Sequence, residues 1–252
     1  MRQGYTHCCE ILTGNRVSLS AQTGSSAGNN PLDGKTVVVT GAAGILGASV
    51  AARAKSLGAQ VELIDVVAGF TSELGRTHVV DLTDAAAVSR CIAAIGDFDG
   101  VANIAGGFDM GPPVHATEDR MWNFLFDINV TTLRRMLSAA VPVLVARGRG
   151  SIVNVGALGA LKGVGNMGAY TAAKSTVMHL TEALSDEVRS AGVNVNAVLP
   201  SLIDTPRNRA DMPDADHSRW VSPEALADVV CFLLSDAARA VHGALVPVRG
   251  LV

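Results

Sequence analysis

The chain has 252 residues, 48% of them apolar, and a formal net charge of −3 with acidic and basic residues interspersed. That is enough apolar material for the core of one large α/β domain, and the mixed charge leaves no electrostatic footprint for nucleic acid or an anionic membrane, so small molecules are the expected partners. The four cysteines have no paired metal spacing and the six histidines are scattered, so no metal is expected and a reducing, cytoplasmic setting fits best.

No charged start followed by an apolar block is evident, and the longest uncharged run, Thr36 to Ala52, is broken by three glycines, so neither a leader nor a membrane span is expected. Residues 1–32 are rich in Gly, Ser, Thr, Asn and Gln without periodicity and read as a poorly ordered extension. Residues 33–252 read as one domain. Short β-branched runs there alternate with alanine-rich amphipathic stretches, the signature of βαβ units.

In chain order the expected strands are Thr36–Thr40, Gln60–Asp65, Thr77–Val80, Gly100–Asn103, Ser151–Val155, Val193–Leu199 and Ala244–Val248. Helices are expected at Ile45–Leu57, Asp84–Ala94, a long one at Glu118–Arg147 that contains Pro142, Ala169–Ser190 and Pro223–Ser235. These elements predict a Rossmann-type α/β fold, a doubly wound sheet of about seven parallel strands with helices on both faces. Ser201–Ser222 is too long and too rich in proline and charge for a mere connector, and reads as a substrate lid at the carboxyl end of a strand.

Gly41, Gly44 and Gly47 stand between the first strand and the first helix. Glycines there permit a tight turn, close approach of the backbone to a pyrophosphate and close helix packing, while the helix start at Ile45 and Leu46 supplies N–H donors. Asp65, eighteen positions past Gly47, is placed to accept hydrogen bonds from an adenosine ribose diol. An acid there repels a 2′-phosphate and no Arg or Lys lies beside it, so the cofactor is expected to be NAD, with NADH preferred over NADPH. Asp81, followed by Leu82, ends the next strand within reach of an adenine amino group; Asp81 or Asp84 reads equally well as a helix cap.

Tyr170 and Lys174 lie four apart on one helix face. A phenol is a poor acid or base at neutral pH, and a nearby ammonium would stabilise its anion, so together the two make a tuned proton donor. The spacing alone fits equally a buried Tyr beside a solvated Lys. With "TGAAGILG", "ANIAGG", "FDINVTT", "SIVNVG", "YTAAK" and "NVNAVLPSLIDTP" in this order, residues 33 onward resemble the single-domain short-chain dehydrogenase/reductase family. That resemblance implies a nicotinamide cofactor and a homo-oligomer, tetramer or dimer. It implies Tyr170 as proton donor or acceptor, Lys174 lowering its pKa and binding the nicotinamide ribose, and Asn129 holding a water that links Lys174 to solvent. It further places Asn103, Ala105 and Gly106 along the cofactor cleft, and Pro200, Ile203 and Thr205 beside the nicotinamide.

Several residues depart from the family pattern. The glycine spacing is TGxxGxxG, Ile104 replaces a frequent second asparagine, and Ser201 stands where glycine usually follows the proline. The family's substrate-orienting serine, thirteen residues before the tyrosine, is Ala157. Loss of such a donor typically costs about 2.7–4 kcal/mol of transition-state stabilisation. The stretches "IDVV", "IAGG", "GALGALKGVGNMGAYTAAK" and "LPSLIDTPRNRADMPDADHSRW" resemble quinoid dihydropteridine reductase and its bacterial relatives, for which alanine at this position is normal. The implied reaction is NADH-dependent reduction of a quinonoid dihydropterin, whose conjugated ring spreads the incoming charge. A dehydrogenase of another carbonyl or alcohol, with a water or Ser201 replacing the hydroxyl, and a dinucleotide-binding regulator with little turnover are the alternatives.

Candidate substrate residues are Ala157, Phe108, Arg207 and Trp220. Phe108 would wall the pocket with Met110. Trp220 would either stack on a flat ring or anchor the lid, and Arg207 and Arg209 would contact substrate or pair with the aspartates around them.

Overall fold

The structure, a computed structural model, describes residues 30–252. Seven strands form one sheet: β1 (Thr36–Thr40), β2 (Gln60–Asp65), β3 (Arg76–Val79), β4 (Gly100–Asn103), β5 (Gly150–Val155), β6 (Val193–Pro200) and β7 (Leu245–Val248). All pairings are parallel, in the order β3-β2-β1-β4-β5-β6-β7. Side chains alternate across a strand, and in β1 this sends Val37 and Val39 into one apolar layer and Val38 into the other. Both faces are therefore covered, as the β-branched runs require.

The first layer packs under α1 (Ile45–Ser56) and α7 (Pro223–Leu234), the second under α2 (Ala85–Ile95) and α4 (Thr132–Arg147). Between β1 and β4 the strand order reverses direction. An open α/β sheet has its binding crevice at that point, outside the carboxyl ends of the strands. At the opposite end Asp99 ties the strands together. It accepts from the Thr36 amide at 3.0 Å and from Arg147 at 2.8 Å, and Arg147 also pairs with Asp97.

The strands agree with expectation to within a residue at their ends. The long helix does not run unbroken. It divides into α3 (Asp119–Phe126), a π-helical turn at Asp127–Thr131 and α4, with Pro142 accommodated inside α4. By length and composition residues 119–147 match a membrane span, but Leu125, Leu133, Met136, Ala140 and Leu144 are buried in the protein core. The fifth helix, α5, covers Gly168–Val188. The 201–222 segment is partly ordered into α6 (Pro206–Asp211), whose start is set by Thr205 as N-cap and Pro206 in the first turn. A parallel bridge between Ile203 and Val221 closes its base.

The expected extension, residues 1–32, lies outside the described residues up to position 29. Its last residue is misassigned, since Leu32 is fully buried in the first layer and its amide donates to Leu57 O at 3.0 Å. The domain thus begins before residue 33, because the core under α1 needs this side chain. Leu32→Ala should lower the unfolding free energy by about 2–5 kcal/mol in urea titrations; a loss within 0.5 kcal/mol or so, the usual range for surface sites, would place Leu32 outside the core.

Candidate active site

At the end of β1 the chain turns through Gly41, whose φ is +66° and where an added Cβ would stand 2.8 Å from the Ala105 backbone. A side chain on Gly47 would run into the Gly41 carbonyl. These two glycines allow α1 to start flush against the turn. Gly44 caps α1 without any side-chain hydrogen bond, so no side chain meets the first-turn N–H groups around Ile45 and Leu46, an arrangement suited to an anion. Asp65 ends β2 and faces this turn: one carboxylate oxygen accepts from the Ala43 amide at 2.9 Å and the other from Val67 at 3.1 Å. It braces the glycine turn as well as offering acceptors to a diol.

Asp81 accepts from both the amide and the hydroxyl of Thr83 at 2.7 Å, which holds its carboxyl below the usual range. The cap of α2 is Asp84, so of the two acids left open by the sequence it is Asp84 that starts the helix. Leu82 is buried. Thr40, which sequence reasoning passed over, ties the crevice shut underneath. Its hydroxyl accepts from the amides of Ile104 and Ala105, both at 3.1 Å. The cradle at Gly41 and Gly47 and the acceptor at Asp65 fit a dinucleotide.

Tyr170 lies in the first turn of α5, with Lys174 one turn further on. Lys174 is only 6% exposed, and its Nζ donates to Val155 O, at the end of β5, at 2.8 Å. Burial lowers the Lys174 ammonium to about 8 and pushes the Tyr170 phenol up to about 12. Desolvation disfavours both charged forms, and one N–H of the ammonium is held by the Val155 carbonyl.

Asn129 sits in the π turn, a frequent location for functional side chains. Its amide nitrogen donates to Leu125 O at 2.9 Å and Gly107 O at 3.0 Å, while its oxygen accepts from Gly107 N at 3.1 Å. A Cβ on Gly106 would come within 2.8 Å of Asn129 Oδ1 and 3.2 Å of Lys174 Nζ. Gly106 is thus the point around which these two side chains converge. Beneath them is a cavity of about 10 Å³ whose lining includes Thr40, Asn103, Asn129, Asn154 and Lys174. That is close to the room one water needs.

Asn103, the last residue of β4, is buried. Its nitrogen donates to Asn154 Oδ1 at 2.9 Å, and Asn154 donates in turn to Thr181 Oγ1 at 2.9 Å. Asn154 and Thr181 were missed by sequence reasoning; an asparagine in the β-branched run "SIVNV" was the available signal.

On the substrate side Ala157 is buried beside Ala160, Met178 and Leu199, with Tyr170 packed against the same cluster. The Ser201 hydroxyl donates to Arg249 O at 2.6 Å, so it is committed to the backbone rather than to position 157. Pro200 ends β6, Ile203 is held in its bridge and Thr205 serves as cap. Phe108 meets the Tyr170 ring edge to face, with centroids 4.9 Å apart and planes at 84°.

Trp220 offers no ring face for stacking. It is 7% exposed and packs on His217, so the anchor role expected as its alternative is the one the structure shows. Arg207 is exposed and lies 3.8 Å from Asp211, while Arg209 grips Asp204 with two hydrogen bonds of 2.5 and 2.7 Å. Of the candidate arginines, both stand beside lid aspartates.

A doubly wound parallel sheet, a glycine cradle at its switch point and a half-buried tyrosine with a buried lysine beside it define a Rossmann-type, NAD(P)-dependent oxidoreductase. Residues 41–250 match the family model described as enoyl-(acyl carrier protein) reductase. The 2-(S)-hydroxypropyl-CoM dehydrogenase 3 of Xanthobacter autotrophicus is 30% identical over 250 residues, covering 88% of this chain and 98% of its own. The cis-4-hydroxycyclohexanecarboxylate dehydrogenase of Sinomonas cyclohexanicum is 32% identical over 237 residues, covering 86% and 95%. Among solved structures, carveol dehydrogenase from Mycobacterium avium in complex with NAD superposes with a TM-score of 0.79 at 28% identity, covering 88% of this chain and 98% of its own. The chain belongs to the short-chain dehydrogenase/reductase family.

Two consequences follow from the buried amine and its neighbour. From about pH 8 to 10.5 the unfolded chain carries a proton on Lys174 that the folded chain lacks, so stability rises with pH across that window. The urea midpoint of the wild type relative to Lys174→Met should climb over this range, and a constant difference would mean a solvated amine. Gly106→Ala, by displacing Asn129 and Lys174, should lower kcat by about a hundredfold while circular dichroism shows an intact fold; unaltered kcat would remove Gly106 from the site.

Proposed function

We propose that the protein is an NADH-preferring reductase of a conjugated, electron-poor acceptor such as a quinonoid dihydropterin, with Tyr170 as proton donor. The observation that carries this reading is position 157. Ala157 is packed in an apolar cluster against Tyr170, and the nearest sequence candidate for a replacement hydroxyl, Ser201, is bonded to Arg249 O. A simple ketone would develop a localised oxyanion with one donor missing. A conjugated ring delocalises the charge and needs less help.

The nicotinamide supplies the hydride when bound. The chain's own residues then account for binding and for the proton. The N–H groups at the start of α1 and the Asp65 carboxylate would hold the diphosphate and the adenosine ribose. Tyr170, kept neutral by its burial, would hold a proton at its phenol oxygen until the reduced ring becomes basic enough to take it. Lys174, protonated at neutral pH, would favour the phenolate left behind. Asn129 would fix the Gly106–Gly107 backbone over the ammonium. Asp65 supports the preference for NADH, because its carboxylate repels a 2′-phosphate and its neighbours Val66 and Val67 offer no cation.

A second reading, dehydrogenation of an alcohol or reduction of a simple carbonyl, is favoured by the names of the relatives. NADH-oxidation assays against quinonoid dihydropterin, quinones and a carbonyl panel separate the two. The first reading expects turnover of the conjugated acceptors, a loss of about a hundredfold or more in Tyr170→Phe, and less than about a tenfold gain in Ala157→Ser. A gain of about a thousandfold in Ala157→Ser, the full worth of a missing donor, would establish the second. Asp65→Ala should narrow the preference for NADH over NADPH, and an unchanged ratio would take the carboxylate out of cofactor selection.

A further inference from the structure

We infer that Phe108 is a specificity-determining residue that grips the flat, conjugated ring of the substrate beside Tyr170, and that Asn129 sets its position through Gly107. The loop carrying Phe108 is fastened at two points. Gly107 exchanges two hydrogen bonds with the Asn129 side chain, and Gly111 N donates to Asn166 O at 2.9 Å. Gly107 itself sits flush on Ile128, which a Cβ would meet at 3.1 Å. Phe108, Asp109 and Met110 therefore hang between two fixed posts, directly over the start of α5.

The side chains so displayed are apolar and unfilled. Phe108 is 39% exposed although its ring is held at 4.9 Å from that of Tyr170, and Met110 and Val114, further along the same segment, are more than half exposed. Val114 lies against the first residue of α5, where a Cβ on Gly168 would be 2.5 Å from its Cγ2. The one acid in the loop, Asp109, turns its carboxylate back onto the Met110 amide at 2.8 Å. A planar ring entering beside Tyr170 would be covered by aromatic and aliphatic surface on the faces it presents, whereas a polyhydroxylated or charged substrate would leave polar groups without partners. Continuity with the tyrosine identifies the occupant as the reacting ring rather than a remote ligand. This rests on the reading of Tyr170 as proton donor to a conjugated acceptor.

The test uses the full chain. Binding of lumazine, a planar bicyclic heterocycle, to the NAD-loaded protein is measured by calorimetry for the wild type, Phe108→Ala and Phe108→Tyr. KM and kcat are measured with 1,4-naphthoquinone and with the acyclic 2,3-butanedione. Phe108→Ala should raise the lumazine Kd and the naphthoquinone KM about tenfold, leave kcat within about threefold and move the butanedione KM by less than about threefold; Phe108→Tyr should restore the wild-type values. Equal KM shifts for ring and acyclic substrates, or no shift in either, would overturn the grip. Phe108-dependent lumazine binding without turnover of either compound would uphold the grip and refute the reductase reading, and naphthoquinone turnover with KM unmoved in Phe108→Ala would do the reverse.

Discussion

A primary amine that must stay buried shapes the site. Lys174 is almost wholly enclosed at the end of β5, and an ammonium removed from water is tolerated only when its N–H groups find acceptors. Val155 O supplies one at 2.8 Å. Position 106 must be glycine because a Cβ would crowd both the amine and Asn129. The helix ahead of α4 must open into a π turn to bring the Asn129 amide to Gly107, and the carbonyl of Leu125 is met by that same amide. Burial that lowers the amine also raises the phenol one turn away. The phenol is thus held neutral, while the amine gives up its proton more easily than a solvated lysine.

Around this shared centre the chain differs from what its family membership suggests. The position expected to carry a hydroxyl carries a methyl group, which is packed with Met178 and Leu199 in an apolar cluster. The second departure, Ser201, has a structural outlet. Its hydroxyl fastens the end of β6 to Arg249, close to where Arg219 binds the Leu251 carbonyl. Both ends of the lid are thus tied to the last residues of the chain, while the Arg209–Asp204 pair joins two residues within the lid. The polar residues of the lid hold it together, which leaves the contact surface around Tyr170 to apolar side chains.

Much of this was legible beforehand, for identifiable reasons. Strand positions follow from β-branched runs whose two faces are both buried, so β1, β2 and β4 appear in the sequence with their structural limits. Gly41, Gly47 and Asp65 were legible because steric demand and acceptor chemistry at a strand end are local properties. The long helix was misread because a π turn leaves the apolar periodicity of residues 119–147 nearly intact, and Leu32 because a single buried residue ahead of a strand has no period to betray it. Trp220 stood open between two roles, since a tryptophan in a loop reads the same whether its ring faces substrate or core.

The sequence by itself determined the architecture and singled out Gly41, Gly47, Asp65 and the Tyr170–Lys174 pair as candidates, because periodicity, glycine sterics and spacing along one helix act over a few residues, whereas Asn129 entered only through the family resemblance. Only the tertiary structure decided what these groups face. That Lys174 donates to Val155, that Asn129 holds Gly107, that Asn103 donates to Asn154 and Asn154 to Thr181, and that Phe108 meets Tyr170 are contacts between segments from 19 to 62 positions apart. Such contacts depend on how the helices settle on the sheet, and that is set by the packing of whole layers rather than by any local stretch of chain.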